Sequence, residues 1–233
     1  MSIERNVFPT SERLAKALAD AVAEDLQAGL AERGVAALAV SGGSTPALFF
    51  ETLSQREDID WADVVVTLVD ERWVPRTAER SNARLVEETL LQGPAAAASF
   101  VPLYTGGDAP TPGQVDLAAQ LIASDLPRPF DAVVLGMGMD GHTASFFPGG
   151  NALEEALTAE GPLVAIEAPG AGEPRVTFTL PRLLDTRSLY LHIEGDEKAR
   201  VFDQALTGGP VETMPVRAVL DQTAKTLSLY WCP

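Results

Sequence analysis

The sequence predicts an α/β fold: a single, doubly wound, Rossmann-like domain in which helices cover both faces of a mostly parallel sheet. Short runs of apolar and β-branched residues, such as 35–40, 64–70 and 131–135, have the length and composition of buried strands. Stretches with apolar residues at helical spacing separate these runs. Such alternation of strand and helix is typical of a parallel sheet. No domain-sized linker, internal repeat or low-complexity tract interrupts the 233 residues.

The first half of the chain is predicted to begin with a long helix from residue 10 to about Arg33. Apolar residues recur at four-residue spacing within it, Ser11 is a candidate N-cap, and Gly34 ends it. The elements predicted after it are a strand at 35–40, a helix from Pro46 to about Gln55, a strand at 64–70, a helix capped by Ser81 and Asn82, one short strand at 99–103 within a loop from 93 to 113, a helix at 114–125 and the strand at 131–135.

The second half is predicted to contain three strands with short connections, at 163–168, 175–180 and 188–193. Polar and apolar residues alternate from Arg175 to Thr179, which is typical of a strand with one buried and one polar face. His192 lies within the third of these strands, and we expect it to be structural. The remaining predicted elements are a helix from 195, a short helix at 215–220 and a last strand at 226–231.

The strand at 131–135 leads into a glycine-rich turn that contains Asp140 and His142. Glycine lets a ligand approach bare backbone N–H groups, and ligands bind at the carboxyl ends of strands in open α/β sheets. His142 is one of only two histidines and is expected at the start of a following helix. A tight turn in which the histidine only forms local hydrogen bonds is the alternative. The acidic neighbour favours an active site with Asp140 and His142 as catalytic residues, so we interpret the chain as an enzyme.

Gly136, Gly138 and Gly141 of this turn also spell G-x-G-x-x-G, the pattern of a dinucleotide-binding loop. That loop requires a long helix after the third glycine and an acidic residue about 20 positions later. Here residues 147–150, Phe-Pro-Gly-Gly, break such a helix within two turns, and His142 occupies a position that suits a small residue. The sequence therefore argues against a nicotinamide or flavin cofactor.

Two other strand ends, and one helix, carry residues that suit an anionic ligand. The loop after the first predicted strand exposes backbone N–H groups at the start of a helix, which is how phosphate is held, although an ordinary strand–helix turn also favours glycine and serine. Its residues are Ser41, Gly42, Gly43, Ser44 and Thr45. Asp70 ends the next strand and Arg72 lies just past it, and a surface ion pair with Glu71 is the alternative role of Arg72. Lys198 lies in the first turn of a helix, where the positive end of the helix dipole disfavours a cation. It is either there to bind an anion or is a solvated side chain.

The composition restricts the partners. The chain has 17 Lys and Arg against 33 Asp and Glu, a net charge of −16. This charge argues against a nucleic-acid partner or an anionic membrane surface, so an anionic ligand needs a local group of basic side chains. The single cysteine, Cys232, excludes an internal disulfide. Because no apolar leader segment and no apolar run of about 18 residues occur, we expect a cytoplasmic protein.

Five motifs follow one another along the chain. They are SGGSTP at 41–46, DERWVP at 70–75 with SN at 81–82, GMGMDGHTASFFPG at 136–149, RVTFTLP at 175–181 and GDEKA at 195–199. In this order they resemble the motifs of the bacterial 6-phosphogluconolactonases, within the superfamily of glucosamine-6-phosphate isomerases and deaminases. The resemblance implies hydrolysis of 6-phospho-D-glucono-1,5-lactone to 6-phospho-D-gluconate, the second step of the oxidative pentose phosphate pathway. It also implies that no cofactor takes part, and no metal ligand is expected among the site residues.

The resemblance assigns roles to the catalytic residues that suit their chemistry. A histidine can take up and return a proton near neutral pH, so His142 is expected to be the general acid and base. Asp140 or Asp70 is expected to orient His142 or the attacking water, and the sequence leaves both open. Arg72 is expected to stabilise the oxyanion or a sugar hydroxyl.

The 6-phosphate is expected to bind to the amides of residues 42–45 together with Arg175 and Lys198, as in the superfamily. A monomer is expected. A glucosamine-6-phosphate isomerase or deaminase, and a non-catalytic sugar-phosphate-binding protein, are the alternatives. In the deaminase pattern a glutamate directly precedes a proline after the histidine, whereas this chain has Phe147 and Pro148 there.

Overall fold

The computed structural model describes residues 2–233, and a central sheet of seven parallel strands organises them. The strands of the molecule are β1 (Ile3–Val7), β2 (Ala36–Val40), β3 (Val64–Leu68), β4 (Asp70–Arg72), β5 (Ser99–Val101), β6 (Phe130–Leu135), β7 (Leu163–Ile166), β8 (Arg175–Phe178), β9 (Thr186–Glu194) and β10 (Leu227–Cys232). The α-helices are α1 (Ser11–Arg33), α2 (Ala47–Ser54), α3 (Asn82–Thr89), α4 (Pro112–Asp125), α5 (Leu153–Thr158), α6 (Leu180–Leu184), α7 (Asp196–Leu206) and α8 (Val216–Asp221).

The order of the strands in the central sheet is β1-β10-β9-β6-β2-β3-β5, and every pairing is parallel. Helices cover both faces, so the predicted doubly wound α/β fold is confirmed. From β2 the chain continues to β3 on one side, and from β6 it continues to β9 on the other. The crevice between β2 and β6 is thus the topological switch point, where ligands bind in such sheets. None of the helices within residues 2–233 is long and apolar enough to cross a membrane.

Helix α1 packs against the sheet through a single apolar stripe, as its sequence predicts. Leu14, Leu18, Val22 and Leu26 are fully buried. Four-residue spacing places them on one face of the helix, which contacts β2 and β6. Full burial of one such aliphatic side chain contributes about 1.5–3 kcal/mol. This stripe fixes α1 against the middle of the sheet.

The starts of two helices differ from the prediction. Thr10, not Ser11, is the N-cap of α1: its backbone is extended and its Oγ1 accepts a hydrogen bond from the Arg13 N–H at 3.4 Å. The Ser11 hydroxyl instead donates to Glu194 Oε2 at 2.5 Å. Helix α2 begins one residue late, because Pro46 takes the cap position and forms no side-chain cap. No side-chain oxygen therefore caps the N–H groups at the start of α2.

A second sheet, with the order β4-β8-β7 and antiparallel pairing, is the main feature that the sequence did not predict. The predicted strand at 64–70 ends at Leu68, and Asp70 pairs with Thr177 of β8 instead. The predicted alternation of buried and polar faces in β8 is wrong, since Arg175 is 6% exposed and Thr177 is fully buried. As the middle strand, β8 has neighbours on both edges, and its polar side chains face the interior of the molecule.

Sequence patterns also miss three short elements, β1, α5 and α6. The residues of β1 are mostly polar and become a strand at the sheet edge by pairing with β10. Helices α5 and α6 have only six and five residues, which is too short for a periodic pattern to show. The other predicted helices and strands occur within a few residues of their predicted bounds.

Candidate active site

A cleft of about 370 Å³ lies at the carboxyl ends of β2 and β6, at the switch point of the sheet. Every predicted site residue except Asp140 lines it. The lining residues among them are Ser41, Gly42, Gly43, Ser44, Thr45, Asp70, Arg72, His142, Arg175 and Lys198. Asp140 contacts His142 without lining the cleft itself. Tertiary folding thus gathers five separated segments of the chain into one site.

His142 and Asp140 form a hydrogen-bonded pair. The distance from His142 Nδ1 to Asp140 Oδ1 is 2.5 Å, and the His142 backbone N–H donates to the same oxygen at 3.1 Å. Burial raises the pKa of Asp140, but the hydrogen bonds and charge of His142 outweigh it and lower this pKa below its ordinary value. The ionised carboxylate only accepts, so Nδ1 carries the proton and Nε2 keeps a lone pair. Nε2 forms no hydrogen bond within residues 2–233 and is free to act as a general base.

The backbone around His142 is a series of turns, so the expected helix start at this residue is wrong. Gly141 has a φ of 76°, and its N–H donates to the Gly138 carbonyl at 3.1 Å. The Gly141 carbonyl in turn accepts from the Val216 N–H at the start of α8. A left-handed glycine and a contact from a distant helix hold the turn, and neither can be inferred from local periodicity.

Gly138 is required for a different reason, which is space. A Cβ at this position would lie 2.1 Å from His142 Cε1 and 2.2 Å from Nδ1. The His142 ring also contacts Phe147, with 4.2 Å between ring centroids. The imidazole is therefore packed against Phe147 and close to the bare backbone of Gly138, with Asp140 fixing its rotation.

Asp70 belongs to a second polar group on β4 and β8. Its Oδ2 accepts a hydrogen bond from the Ser145 hydroxyl at 2.6 Å and lies 3.7 Å from Arg175 Nη1. Arg175 also donates to the Ala171 carbonyl at 2.7 Å and lies over the Phe147 ring. Burial lowers the pKa of Arg175, and Asp70 partly offsets this. Of the two carboxylates that the sequence leaves open as the partner of His142, Asp140 makes the contact.

Arg72 does not form the alternative side-chain ion pair with Glu71. Glu71 is fully buried and accepts from the backbone N–H groups of Asn82 and Ala83, both at 2.8 Å, so it holds the start of α3. Burial raises the pKa of Glu71 above its ordinary value and outweighs these hydrogen bonds, which lower it. The Arg72 guanidinium instead donates to the Arg80 carbonyl and lines the cleft. It is thus available to a ligand.

The loop after β2 presents unused donors at the amino end of α2. No hydrogen bond formed within residues 2–233 uses the backbone N–H groups of residues 42–45. The Ser41 hydroxyl accepts from the Gly136 N–H at 2.9 Å, which joins this loop to the turn that leads to His142. Free amides at a positive helix end attract an anion.

Lys198 reaches this loop from α7. Its Nζ donates to Thr45 Oγ1 at 3.1 Å. Burial lowers the pKa of Lys198, while the charge of Glu194 partly opposes this. An anion at the loop favours the charged ammonium. The loop and Lys198 therefore bring free backbone amides and an ammonium group together at one part of the cleft, a set of donors that suits an anion.

Asn82 is a residue of the site that the sequence analysis treats only as a helix cap. Its Nδ2 donates to the Asp70 carbonyl at 2.9 Å. A Cβ added to Gly42 would lie only 1.8 Å from Asn82 Oδ1 and would clash with it. Gly42 is thus required for close approach between the loop and α3. The signal for Asn82 was its place in the SN motif beside DERWVP.

Several polar atoms around the cleft are buried without a partner within the described chain, which is unusual in folded proteins. They are Arg72 Nε, Asn82 Oδ1, Arg175 Nε and His192 Nδ1.

Four residues of the site were not predicted from the sequence, because only the tertiary fold brings them there. They are Arg80, Ser145, Phe147 and His192. Within residues 2–233, no group of three or more His, Cys, Asp and Glu side chains is arranged to hold a metal ion.

The chain is similar to known proteins over nearly its whole length. A family model described as glucosamine-6-phosphate isomerases/6-phosphogluconolactonase matches residues 9–231. The chain is similar to a 6-phosphogluconolactonase of Rhizobium meliloti (strain 1021), with 52% identity over 100% of both chains. It is 49% identical to a 6-phosphogluconolactonase of Mesorhizobium japonicum over 98% of this chain and 94% of the relative. A solved 6-phosphogluconolactonase structure from Shewanella baltica has a TM-score of 0.95 and 43% identity, covering 99% of this chain and 98% of that one.

Proposed function

The chain belongs to the family of glucosamine-6-phosphate isomerases and 6-phosphogluconolactonases, and we propose that its cleft hydrolyses 6-phospho-D-glucono-1,5-lactone to 6-phospho-D-gluconate. The observation that carries the proposal is the presence of two complementary ends in one cleft. One end has the paired His142 and Asp140, and the other has the free amides of residues 42–45 with Lys198. The substrate has a reactive carbonyl at C1 and a phosphate at C6, so it matches both ends.

His142 acts as the general base and then as the general acid. Its Nε2 takes a proton from water while the water oxygen attacks C1 of the lactone. Asp140 holds Nδ1 and stabilises the imidazolium that forms. When the tetrahedral intermediate collapses, the bond between C1 and the ring oxygen breaks, and Nε2 returns the proton to that oxygen. The enzyme is regenerated and the product is an open-chain acid.

Arg72 and Asp70 orient the reacting groups. The Arg72 guanidinium, with its unpartnered Nε, stabilises the negative charge on the carbonyl oxygen in the intermediate. Such a donor typically lowers the barrier by about 3 kcal/mol. The Asp70 carboxylate is held by Ser145 and accepts a hydrogen bond from the attacking water or a sugar hydroxyl.

The phosphate binds at the other end of the cleft. The amides of residues 42–45 and the side chains of Lys198 and Arg175 neutralise its charge. In a chain with a net charge of −16, these local donors are what allows an anionic substrate to bind. Binding energy at the phosphate orients the lactone against His142.

The proposal is tested by opening freshly generated 6-phosphogluconolactone in a pH-stat and comparing the rate with the spontaneous reaction. We expect acceleration at nanomolar enzyme and no ammonia from glucosamine 6-phosphate under the same conditions. Phe147 occupies the place of the deaminase glutamate and packs against the His142 ring, and it cannot relay a proton. Steady ammonia release, or 6-phosphogluconate binding without any acceleration, would contradict the lactonase.

Gly138→Ala is expected to lower kcat by about tenfold or more while the protein stays folded. The φ of Gly138 is not positive, so alanine fits the backbone, but its Cβ must displace the His142 ring. The measurement is kcat together with the midpoint of thermal unfolding. Gly161→Ala, with no atom within 4 Å of the added Cβ, is the control. An unchanged kcat in Gly138→Ala would mean that the position of the ring is not critical.

Lys198→Ala is expected to raise KM for the phosphorylated lactone and Kd for 6-phosphogluconate by about tenfold or more, because a charge-assisted hydrogen bond is lost. Hydrolysis of unphosphorylated gluconolactone is expected to change little. Arg200→Ala on the same helix, which removes an exposed charge outside the cleft, is the matched control. Equal losses on both lactones would assign Lys198 to the fold instead of the phosphate.

The proposal includes a cytoplasmic, monomeric enzyme in which the whole chain acts as one lactonase domain. The family model, which matches residues 9–231, supports the single domain. Light scattering after size exclusion, at concentrations that bracket those of the assay, tests the monomer.

A further inference from the structure

His192 is a buried residue of the cleft wall to which the mechanism above gives no role. It lies on β9, is 3% exposed, and its ring meets the edge of Phe49 at 6.2 Å between centroids. Its Nε2 is 2.9 Å from Glu194 Oε1. Its Nδ1 is buried and has no partner within residues 2–233. A buried ring nitrogen without a partner, in the wall of a ligand cleft, indicates that a ligand supplies the partner.

The partner at Glu194 determines which proton His192 carries. The hydrogen bond from His192 lowers the pKa of Glu194, while burial opposes it, and the Ser11 hydroxyl donates to the other carboxylate oxygen. An ionised carboxylate only accepts hydrogen bonds, so Nε2 must be the protonated nitrogen. Nδ1 then either keeps a lone pair, in the neutral ring, or becomes a second donor, in the imidazolium.

His192 lies at the anion-binding end of the cleft. The strand that carries it ends at Glu194, and α7, with Lys198, follows directly. Its aromatic neighbour Phe49 lies in the first turn of α2, just after the free amides, and Lys198 contacts Thr45 of the same loop. The donors of the loop, of Lys198 and of His192 therefore border one space.

We propose that His192 is a further ligand of the 6-phosphate and binds the dianion as an imidazolium, with Nδ1–H donating to a phosphate oxygen and Nε2–H donating to Glu194. This inference rests on the proposed function and deepens it. The sequence alone predicts a structural role for His192, because it lies within an apolar strand. An imidazolium between a carboxylate and a phosphate has both of its donors used by anions.

The charges that face His192 explain why the phosphate matters. Glu194, from its own strand, is the carboxylate that faces His192 Nε2, and Lys198, from α7, lines the same cleft. From α1 and β10, the neutral Ser11 hydroxyl and Cys232 thiol approach Glu194 instead. A phosphate dianion adds negative charge beside Nδ1, so binding draws a proton from solvent onto His192. Unphosphorylated lactones do not supply this charge, which makes His192 a determinant of specificity.

Kinetics of His192→Gln test this role. The glutamine amide can retain the hydrogen bond to Glu194 but offers no group at the place of Nδ1. We expect KM for 6-phosphogluconolactone and Kd for 6-phosphogluconate to rise about fivefold or more, with kcat within about twofold. Turnover of unphosphorylated gluconolactone is expected to stay unchanged. Tyr190→Phe on the same strand, which loses a hydrogen bond to Asp25 outside the cleft, is the control for a purely structural loss.

Nitrogen-15 NMR gives a direct readout, because the chain has only two histidines and His142→Gln assigns them. On titration with inorganic phosphate at constant pH, the His192 ring signals are expected to move to those of a doubly protonated imidazole. Unchanged His192 signals at saturating phosphate, together with wild-type affinity in His192→Gln, would overturn the role of His192 and leave the proposed function standing. If the unmodified enzyme binds no phosphate or opens no lactone, the proposed function fails as well.

Discussion

His142→Gln is expected to lower kcat for 6-phosphogluconolactone by about 100-fold or more. Glutamine has no group that can take up a proton from water and return it to the ring oxygen. The free Nε2 of His142 is the only part of the mechanism that does both. Binding of the product 6-phosphogluconate is expected to stay within a few-fold, since the residues proposed to bind its phosphate are unchanged. Steady-state kinetics and calorimetric titration measure the two quantities.

The control for this prediction is Met139→Gln, which places the same side chain three residues away. Met139 is 54% exposed and does not line the cleft, so kcat is expected to remain at the wild-type value. If His142→Gln keeps most of its kcat, then His142 only forms local hydrogen bonds in the turn. That result would remove the central residue of the proposed mechanism.

Asp140→Asn is expected to lower kcat by about 100-fold with little change in fold or in phosphate affinity. The asparagine amide can donate to Nδ1, which moves the ring proton to Nε2 and removes the general base. It also removes the negative charge that stabilises the imidazolium in the transition state. The loss is expected in kcat for phosphorylated and unphosphorylated lactones alike, because both use the same base.

A double-mutant cycle separates this role from a simple structural loss. If Asp140 acts only through His142, then His142→Gln with Asp140→Asn is no slower than His142→Gln alone. Additive losses in kcat would mean that Asp140 contacts the substrate or the water directly. The same cycle with Asp70→Asn in place of Asp140→Asn is expected to be closer to additive, since Asp70 contacts Ser145 and approaches Arg175 and forms no hydrogen bond with His142.

The comparison of sequence with structure shows which kind of pattern predicts well. The apolar stripe of α1 and the runs that became β2 and β6 are local signals, because burial on one face leaves a periodic trace in the sequence. The alternation in β8 misled, because Arg175 and Thr177 are polar residues that face a buried cleft. Polar residues around a site break the periodic rule for a functional reason.

The ends of individual helices were less predictable, as the N-cap of α1 shows. Thr10 and Ser11 are both good capping residues, and only the extended backbone at Thr10 and the hydrogen bond from Ser11 to Glu194 distinguish them. The helix expected after His142 failed for a similar reason. Gly141 is held in the left-handed region by a hydrogen bond with Val216, about 75 residues later in the chain.

By itself, the sequence determined the doubly wound α/β fold, the glycine loops at the ends of β2 and β6, and the residue types that suit an anionic substrate and proton transfer. These follow from spacing and chemistry within short segments. The tertiary structure alone decided that Asp140, and not Asp70, contacts His142, that Asp70 joins a second sheet, and that His192 borders the cleft. Such pairings depend on which distant segments meet in space, and no local pattern of residues records that.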